Sequence, residues 1–178
     1  MIKFINNHKC DIVGGPQKHL FKNIEFKKFY ELIEPKRQNG LIVDWIATNN
    51  SFFKSKVIKD NKIKFDENLV NYGGSDQLFF KLLSKRKYLI RWNLNSLVFE
   101  NYQESREKNI WFFKRNLRYG YSGNIIDFTV YGRFKGIVVI LSKIILLVLQ
   151  SFILILFPFK NNYLKSYFLL IRALGRLV

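Results

Sequence analysis

A tight glycine turn followed by a carboxylate is the segment of this chain that could most directly do chemistry. The turn is Gly73-Gly74-Ser75-Asp76. Gly74 gives the backbone room for a positive φ angle, which residues with a side chain rarely adopt. The pattern therefore predicts that Asp76 lies at the amino-terminal end of a helix. The apolar residues of that helix follow at helical spacing, at Leu78, Phe79, Leu82 and Leu83.

Asp76 has two interpretations in this setting. An aspartate before an apolar helix often caps the helix, because its side chain accepts a hydrogen bond from a free backbone N–H. A carboxylate on a short loop beside a cleft can instead act as a general base that takes a proton from a hydroxyl nucleophile. The spacing alone does not distinguish a cap from a base, so the decision depends on the surrounding segments.

Six short fragments between residues 10 and 123 form an ordered pattern. They are residues 11–16 (DIVGGP), 45–50 (WIATNN), 52–54 (FFK), 65–67 with 73–76 (FDE and GGSD), 92–100 (WNLNSLVFE), and 105–106 with 115–120 (SR and RNLRYG). In this order they resemble the second half of the family-2 glycosyltransferases, enzymes of the GT-A fold. The corresponding family segments include W-x-A-T-x-N, F-D-E…G-G-E-D, V-x-E and R-x-x-R-x-G.

The resemblance implies transfer of a sugar, with inversion, from a nucleotide-sugar donor to a glycan or lipid-linked acceptor. Asp76 would be the catalytic base, and Gly74 and Ser75 would bind substrate beside it. Other residues of the pattern would line the acceptor pocket, where an aromatic face suits sugar C–H surfaces and polar groups suit hydroxyls. These are Trp45, Thr48 and Asn50. A plain core position is the alternative for Trp45.

Arg115 and Arg118 are three residues apart on a predicted helix and therefore share a face. Guanidinium groups pair bidentately with diphosphate oxygens, so these two arginines are candidates for binding the leaving group. With Tyr119 next, their spacing is similar to the family's Q-x-x-R-W element, with Arg115 in place of Gln. The alternative is that both arginines lie on a solvated helix face or bind lipid phosphate.

Two departures from the family pattern limit what the resemblance implies. Ser75 stands where the family often has Glu. The family's divalent cation, Mn²⁺ or Mg²⁺, is held by an Asp-x-Asp motif, and this sequence contains no Asp-x-Asp. The strand–helix domain that carries that motif is also missing before Asp11. We therefore expect a carboxy-terminal, acceptor-binding portion that is inactive alone, with a separate chain as one possible source of the front half.

Composition narrows the classes of partner. The 178 residues carry a net charge of +17, which favours nucleic acid, an anionic membrane surface or phosphorylated substrates. Cys10 is the only cysteine, so an intrachain disulfide and a cysteine-based zinc site are both excluded. A long apolar run makes nucleic acid a poor partner. A non-enzymatic basic protein that binds anionic lipid is the alternative function.

The predicted fold class is α/β: a partial GT-A-like mixed sheet with flanking helices, followed by a hydrophobic helical tail. We predict a partial glycosyltransferase-like domain over residues 1–127 and a membrane-associated tail over residues 128–178. The strands expected from β-branched and apolar patterning are residues 9–13, 41–48, 88–92 and 97–100. The helices expected are residues 51–58, 77–84 and 105–119, with a turn at 60–62.

The tail contains a run of 21 residues, 137–157, with Lys143 as its one charge. About 20 apolar residues are enough to cross a bilayer core. A buried core helix, a single span and a pair of helices lying in the membrane plane all remain open. Basic residues flank both ends, so charge does not orient the run, and Lys143 could extend its amine toward the interface. We expect membrane association, with the catalytic-type domain on the cytoplasmic side.

Overall fold

The computed structural model describes residues 1–33, 37–59, 63–69, 71–157 and 162–178. The turn predicted at residues 60–62 lies outside these described residues. Within them the chain is mixed α/β, with a small mixed sheet and a long apolar helix near its carboxy-terminal end. The predicted fold class is confirmed at that level.

The described elements comprise five strands and seven α-helices. The strands are β1 (Ile12–Gly14), β2 (Gln17–Leu20), β3 (Ser51–Phe53), β4 (Ile90–Trp92) and β5 (Val98–Asn101). The helices are α1 (Ile2–Asn7), α2 (Ile24–Ile33), α3 (Ser55–Lys59), α4 (Ser75–Lys85), α5 (Asn109–Tyr131), α6 (Arg133–Leu156) and α7 (Asn162–Gly175).

The chain divides into two compact units. The first contains Met1–Leu20, Pro35–Glu67 and Ser75–Tyr102, and the second contains Phe21–Glu34, Asn68–Gly74 and Gln103–Val178. The boundary predicted after residue 127 lies inside α5, because that helix continues to Tyr131. The composition changes at residue 127, but the helix does not end there.

The first unit is built on a three-stranded sheet in the order β3-β1-β4. Strand β1 is antiparallel to β3 and parallel to β4, so that Ile12 lies between Phe53 and Ile90. Strands β2 and β5 form a separate parallel pair. One face of α4 closes the core with Phe80 and Leu83, both fully buried beside Ile12. The predictions of a helix at 77–84 and of strands at 88–92 and 97–100 are confirmed.

Two predicted elements of the first unit are wrong. Residues 41–48 do not form a strand, and Ile42 makes only an isolated bridge to Arg91. The segment hydrogen-bonds to β4 only at its start, where the N–H of Val43 donates to Ile90 and the N–H of Trp92 donates to Leu41. Only Ile46 is buried, at 1% exposure against Gly14. The helix predicted at residues 51–58 begins only at Ser55. Residues 51–53 form β3 instead, because their backbone pairs with β1.

The second unit contains a bundle of three long helices. Helices α5 and α7 run parallel, since Phe112 packs on Phe168 and Asn116 bonds to Arg172 further along both helices. Helix α6 runs antiparallel to α7, and the two are joined through hydrogen-bonded serines at positions 151 and 166. Gly120 and Gly175 let α5 and α7 approach closely, because a Cβ on Gly120 would lie 2.3 Å from a backbone oxygen of α7.

Helix α6 is, within the described part of the chain, the one helix long and apolar enough to cross a membrane. Its mean hydropathy over the best window is 2.7, and only 11% of that window is buried. The interpretation of residues 137–157 as a buried core helix is therefore wrong. Lys143 does not extend toward an interface: its amine lies 2.5 Å from a carboxylate oxygen of Asp127, on α5.

Candidate functional site

The glycine turn before Asp76 has the backbone that the sequence predicts. Gly73 and Gly74 have φ angles of +73° and +95°. Helix α4 begins at Ser75, so Asp76 lies in its first turn rather than at the position before the helix. A carboxylate is favourable there because the amino-terminal end of a helix carries partial positive charge. Oδ1 of the half-buried Asp76 accepts a hydrogen bond of 2.9 Å from the backbone N–H of Gln77.

The Ser75 hydroxyl is used within the protein. It donates a hydrogen bond of 3.2 Å to the backbone carbonyl of Asp66. This bond ties the start of α4 to the segment that carries Asp66 and Glu67, the two acidic residues of the F-D-E fragment. Glu67 is exposed, in a short 3₁₀ turn. Ser75 therefore fixes the approach to α4, in the turn that precedes the candidate base Asp76.

Helix α5 contacts the glycine turn inside the second unit. The guanidinium of Arg118 lies beside Gly73, where an added Cβ would be 3.7 Å from its Nε. Gly74 lies against Ile126 and Ser122, and an added Cβ would be 3.0 Å from Cδ1 of Ile126. The turn needs glycine at both positions, for its backbone conformation and, at Gly74, for space as well.

Arg115 and Arg118 have different neighbours although they are three residues apart on α5. Arg115 lies over the rings of Trp111 and Tyr119, at 4.9 and 5.2 Å from their centroids. Its Nε also donates a hydrogen bond to the Tyr119 hydroxyl. Arg118 is exposed and lies at the glycine turn instead. The half-buried Arg115 thus belongs to an aromatic cluster, while Arg118 presents its charge to solvent.

Arg172 of α7 joins the Arg115 cluster, and the sequence did not predict it. Its guanidinium lies 5.6 Å from the Tyr119 ring on α5, and its Nη2 donates to the side-chain oxygen of Asn116. Its Nε is buried and has no hydrogen-bond partner among the described residues. Burial lowers the pKa of Arg172, and nearby Arg176 and Arg115 lower it further against the opposing effect of Tyr119. No carboxylate pairs with Arg172 in the described structure.

Arg176 follows directly after the end of α7 and has the carboxylate partner that Arg172 lacks. Arg176 lies 3.0 Å from Asp127 and bonds the side chain of Asn124. Asp127 is 1% exposed and also pairs with Lys143, so α5, α6 and the residue directly after α7 each contribute one charge to this group. Arg176 is therefore a structural cation with a carboxylate partner. Arg172 has unused hydrogen-bonding capacity that an anionic ligand could satisfy.

The three predicted acceptor-pocket residues have different surroundings in the first unit. Trp45 packs against the core, and the half-buried Arg37 lies between it and Trp92, at 5.3 and 4.6 Å from the ring centroids. Asn50 is buried, and its amide nitrogen donates to the carbonyls of Pro16 and Ser96. Thr48 is exposed. Asn50 therefore has a structural role here, because it joins two loops.

Asn49 rather than Asn50 presents its side chain toward solvent. Its oxygen accepts a hydrogen bond from Gln17, and its nitrogen donates to Glu100 over 3.2 Å. The same carboxylate of Glu100 lies 3.5 Å from Nδ1 of His19. This small polar cluster joins the β2–β5 pair to the 3₁₀ turn at Thr48–Asn50. Neither His19 nor Gln17 belongs to a fragment with a recognisable pattern, so only the fold brings them to Asn49.

A divalent cation does not fit the described residues. No group of three His, Cys, Asp or Glu side chains is close enough to hold a metal ion within the described ranges. The sequence likewise lacks the Asp-x-Asp motif. We therefore derive no chemical step through a metal.

Comparisons with models of known protein families, with curated proteins and with solved structures give no match to this chain.

Proposed function

We propose that this chain is the acceptor-binding portion of a membrane-attached, inverting glycosyltransferase of family 2, with Asp76 as its base. The observation that carries the proposal is the local geometry of the glycine turn. Two consecutive positive φ angles lead directly into α4 and leave Asp76 half-buried in the first helical turn. The GT-A fold is part of the proposal, and it is supported by the order of the six fragments.

The proposed reaction is a single displacement. Asp76 takes the proton of an acceptor hydroxyl, whose oxygen attacks the anomeric carbon of the sugar. The bond from that carbon to the nucleoside diphosphate breaks, and the diphosphate leaves as an anion. A single base suffices because this leaving group needs charge neutralisation rather than a proton. Guanidinium groups supply such neutralisation, and Arg115 and Arg118 are the candidates that the family resemblance gives for it.

Membrane attachment supports an acceptor that is itself held at the membrane. Helix α6 has the length and apolar character of a membrane helix, and most of its surface is exposed. After Asp127 the sequence contains no acidic residue. Cations near an apolar surface favour contact with anionic headgroups. We place the catalytic-type first unit on the cytoplasmic side as part of this proposal.

The test is nucleoside diphosphate release from a panel of nucleotide sugars with Mn²⁺ and membrane lipid extract. We expect no release by the purified chain alone, and release when a separately expressed donor half of a family-2 enzyme is added. Asp76→Asn should reduce that release by about 10²–10⁴-fold, because it removes the base. Glu67→Gln is the matched control, since it neutralises an exposed carboxylate nearby in the sequence and should keep the activity.

Unchanged release in Asp76→Asn would show that this residue is not the base. The second candidate function is a non-enzymatic basic protein that binds anionic lipid, and the exposed apolar surface of α6 favours it. That function predicts vesicle binding that Asp76→Ala leaves intact, together with no release in any mixture and no binding of nucleotide sugars. The two functions therefore give opposite results in the same set of assays.

A further inference from the structure

The helical unit exposes apolar stripes on two neighbouring helices. The exposed side chains of α6 recur every three or four residues, and Phe134 and Leu156 at its two ends are 86% and 72% exposed. Helix α7 carries a second stripe, which Leu177 extends just beyond its end. The stripe of α7 consists of Tyr163, Tyr167, Leu170, Leu174 and Leu177, each at least 41% exposed.

The third helix of the bundle has a different outer surface. Helix α5 exposes Lys114 and Arg118 to solvent. Helix α5 also exposes Ile110 and Phe128 near its two ends. The bundle therefore has apolar outer faces on α6 and α7, and the basic residues exposed along the middle of α5 form the polar part of its outer surface. This division is the pattern of helices that lie in a membrane interface, with their apolar faces in the acyl boundary and their polar face in water.

A transmembrane placement of α6 conflicts with the helices that pack along it. Helix α7 is antiparallel to α6, and its 14 residues reach only about 21 Å, which is less than the roughly 30 Å of a bilayer core. Moving α6 across the membrane would carry its packing partners into the hydrocarbon. Among their side chains are Asp127, Arg176 and Arg172, whose Nε lacks a partner in the described structure. Charged groups at that depth are costly.

We propose that α6 and α7 lie in the plane of an anionic membrane surface, with α5 facing the aqueous side, and that α6 does not cross the bilayer. This inference rests on the proposed membrane attachment and is independent of glycosyl transfer. The occupant of the apolar stripes is lipid that carries negative headgroups. Arg133 and Lys135 at the start of α6 and Lys165 in the first turn of α7 are placed to contact those headgroups.

The experiment measures on which side of a membrane the two ends of α6 lie. In a Cys10→Ala background, Arg133→Cys marks one end of α6, and Lys165→Cys marks the other, just after the connection to α7. Each substitution removes one positive charge, so the two variants are matched. Lys59→Cys, at an exposed position of the first unit, shows that the label reaches the outer side. The full chain is added to preformed phosphatidylcholine vesicles with and without phosphatidylglycerol, and a membrane-impermeant maleimide is added outside.

We expect all three cysteines to react from outside, with no further reaction when detergent opens the vesicles. Omitting phosphatidylglycerol should weaken vesicle binding at least about tenfold, because the headgroup charges are lost. If either end of α6 reacts only after detergent, α6 crosses the bilayer and the in-plane placement is wrong. If the chain does not bind vesicles of either composition, membrane attachment itself is wrong, whatever the result of the nucleotide-sugar assay.

Discussion

At the scale of single residues, the glycine turn before Asp76 is constrained twice. Gly74 has a φ angle that other residues adopt only at a cost, and its neighbour Ile126 leaves little room for a side chain. The positive φ could be predicted from the sequence, because two glycines precede a helical pattern. The contact between Gly74 and Ile126 could not be predicted, because the two residues are 52 positions apart in the sequence.

We expect Gly74→Ala to destabilise the protein more than a glycine substitution at a similar angle in open space. The backbone strain costs about 1–2 kcal/mol, and crowding against Ile126 adds about 1–3 kcal/mol. Gly40→Ala is the control, since Gly40 has a φ of +79° and its Cβ would meet no atom closer than 3.9 Å. Urea unfolding of both variants in detergent measures the difference. Equal losses would show that crowding at Gly74 is relieved by movement of Ile126.

Asp11 provides a test of residue-scale electrostatics. Burial opposes its ionisation, but hydrogen bonds from the Lys56 amine and from the backbone N–H of Leu89 outweigh burial and lower its pKa. A lowered pKa in the folded state means that the ionised form stabilises the fold. That stabilisation is present above the unfolded pKa of about 4 and is lost as the pH falls through the folded value.

We therefore expect Asp11→Asn to cost about 1 kcal/mol of unfolding free energy at neutral pH. The difference from the unsubstituted protein should disappear as the pH falls below about 4. Asp44→Asn is the control, because the Asp44 carboxylate is 59% exposed and its pair with Lys81 should contribute little. Chemical unfolding at a series of pH values measures both. If the two proteins differ by the same unfolding free energy down to strongly acidic pH, the ionised form of Asp11 is not the source of the stabilisation.

At the scale of elements, the charged side chains inside the helical bundle differ in whether they have a partner of opposite charge. Asp127 is buried with Lys143 and Arg176 as partners, so removing its charge leaves two cations without a carboxylate. Arg172 has a hydrogen bond to Asn116 but no carboxylate among the described residues. The first group joins the three helices through ion pairs, whereas the buried Nε of Arg172 has no hydrogen-bond partner among the described residues.

We expect Asp127→Asn to lower the unfolding free energy of the helical bundle by about 3–5 kcal/mol. Arg172→Met should cost about 1 kcal/mol or less, because the lost bond to Asn116 is offset by removal of a buried unpaired nitrogen. Loss of helical circular dichroism during urea unfolding in detergent measures both. A large loss in Arg172→Met would identify Arg172 as a structural cation like Arg176 and would remove it from the candidate site.

The elements differ in how far they could be predicted. Helical spacing around Leu78 identifies α4, and the apolar run at residues 137–157 identifies α6, because both signals are local. Residues 41–48 look like a strand because they are apolar and β-branched, yet only their first residues hydrogen-bond to β4 and only Ile46 is buried. The place of Arg172 beside Tyr119 depends on the packing of α5 on α7, which no local pattern encodes.

At the scale of the whole molecule, the candidate functional residues belong to two different compact units. Asp76 belongs to the sheet-based first unit, whereas the arginine candidates belong to the helical unit with the apolar surface. A long apolar helix and a mixed α/β architecture could be predicted from composition and periodicity. The exposed faces of α6 could not, because they depend on which of its faces α5 and α7 cover.

The three-helix charge group also has a consequence for synthesis. Asp127 leaves the ribosome first, Lys143 follows, and Arg176 comes last, near the end of α7. Until Arg176 is made, Asp127 on α5 and Lys143 on α6 form a pair without net charge. A nascent chain that stops before α7 therefore has the apolar helix α6 without the second cation of the charge group. The order of synthesis thus separates the formation of α6 from the completion of the ion pairs that join the three-helix bundle.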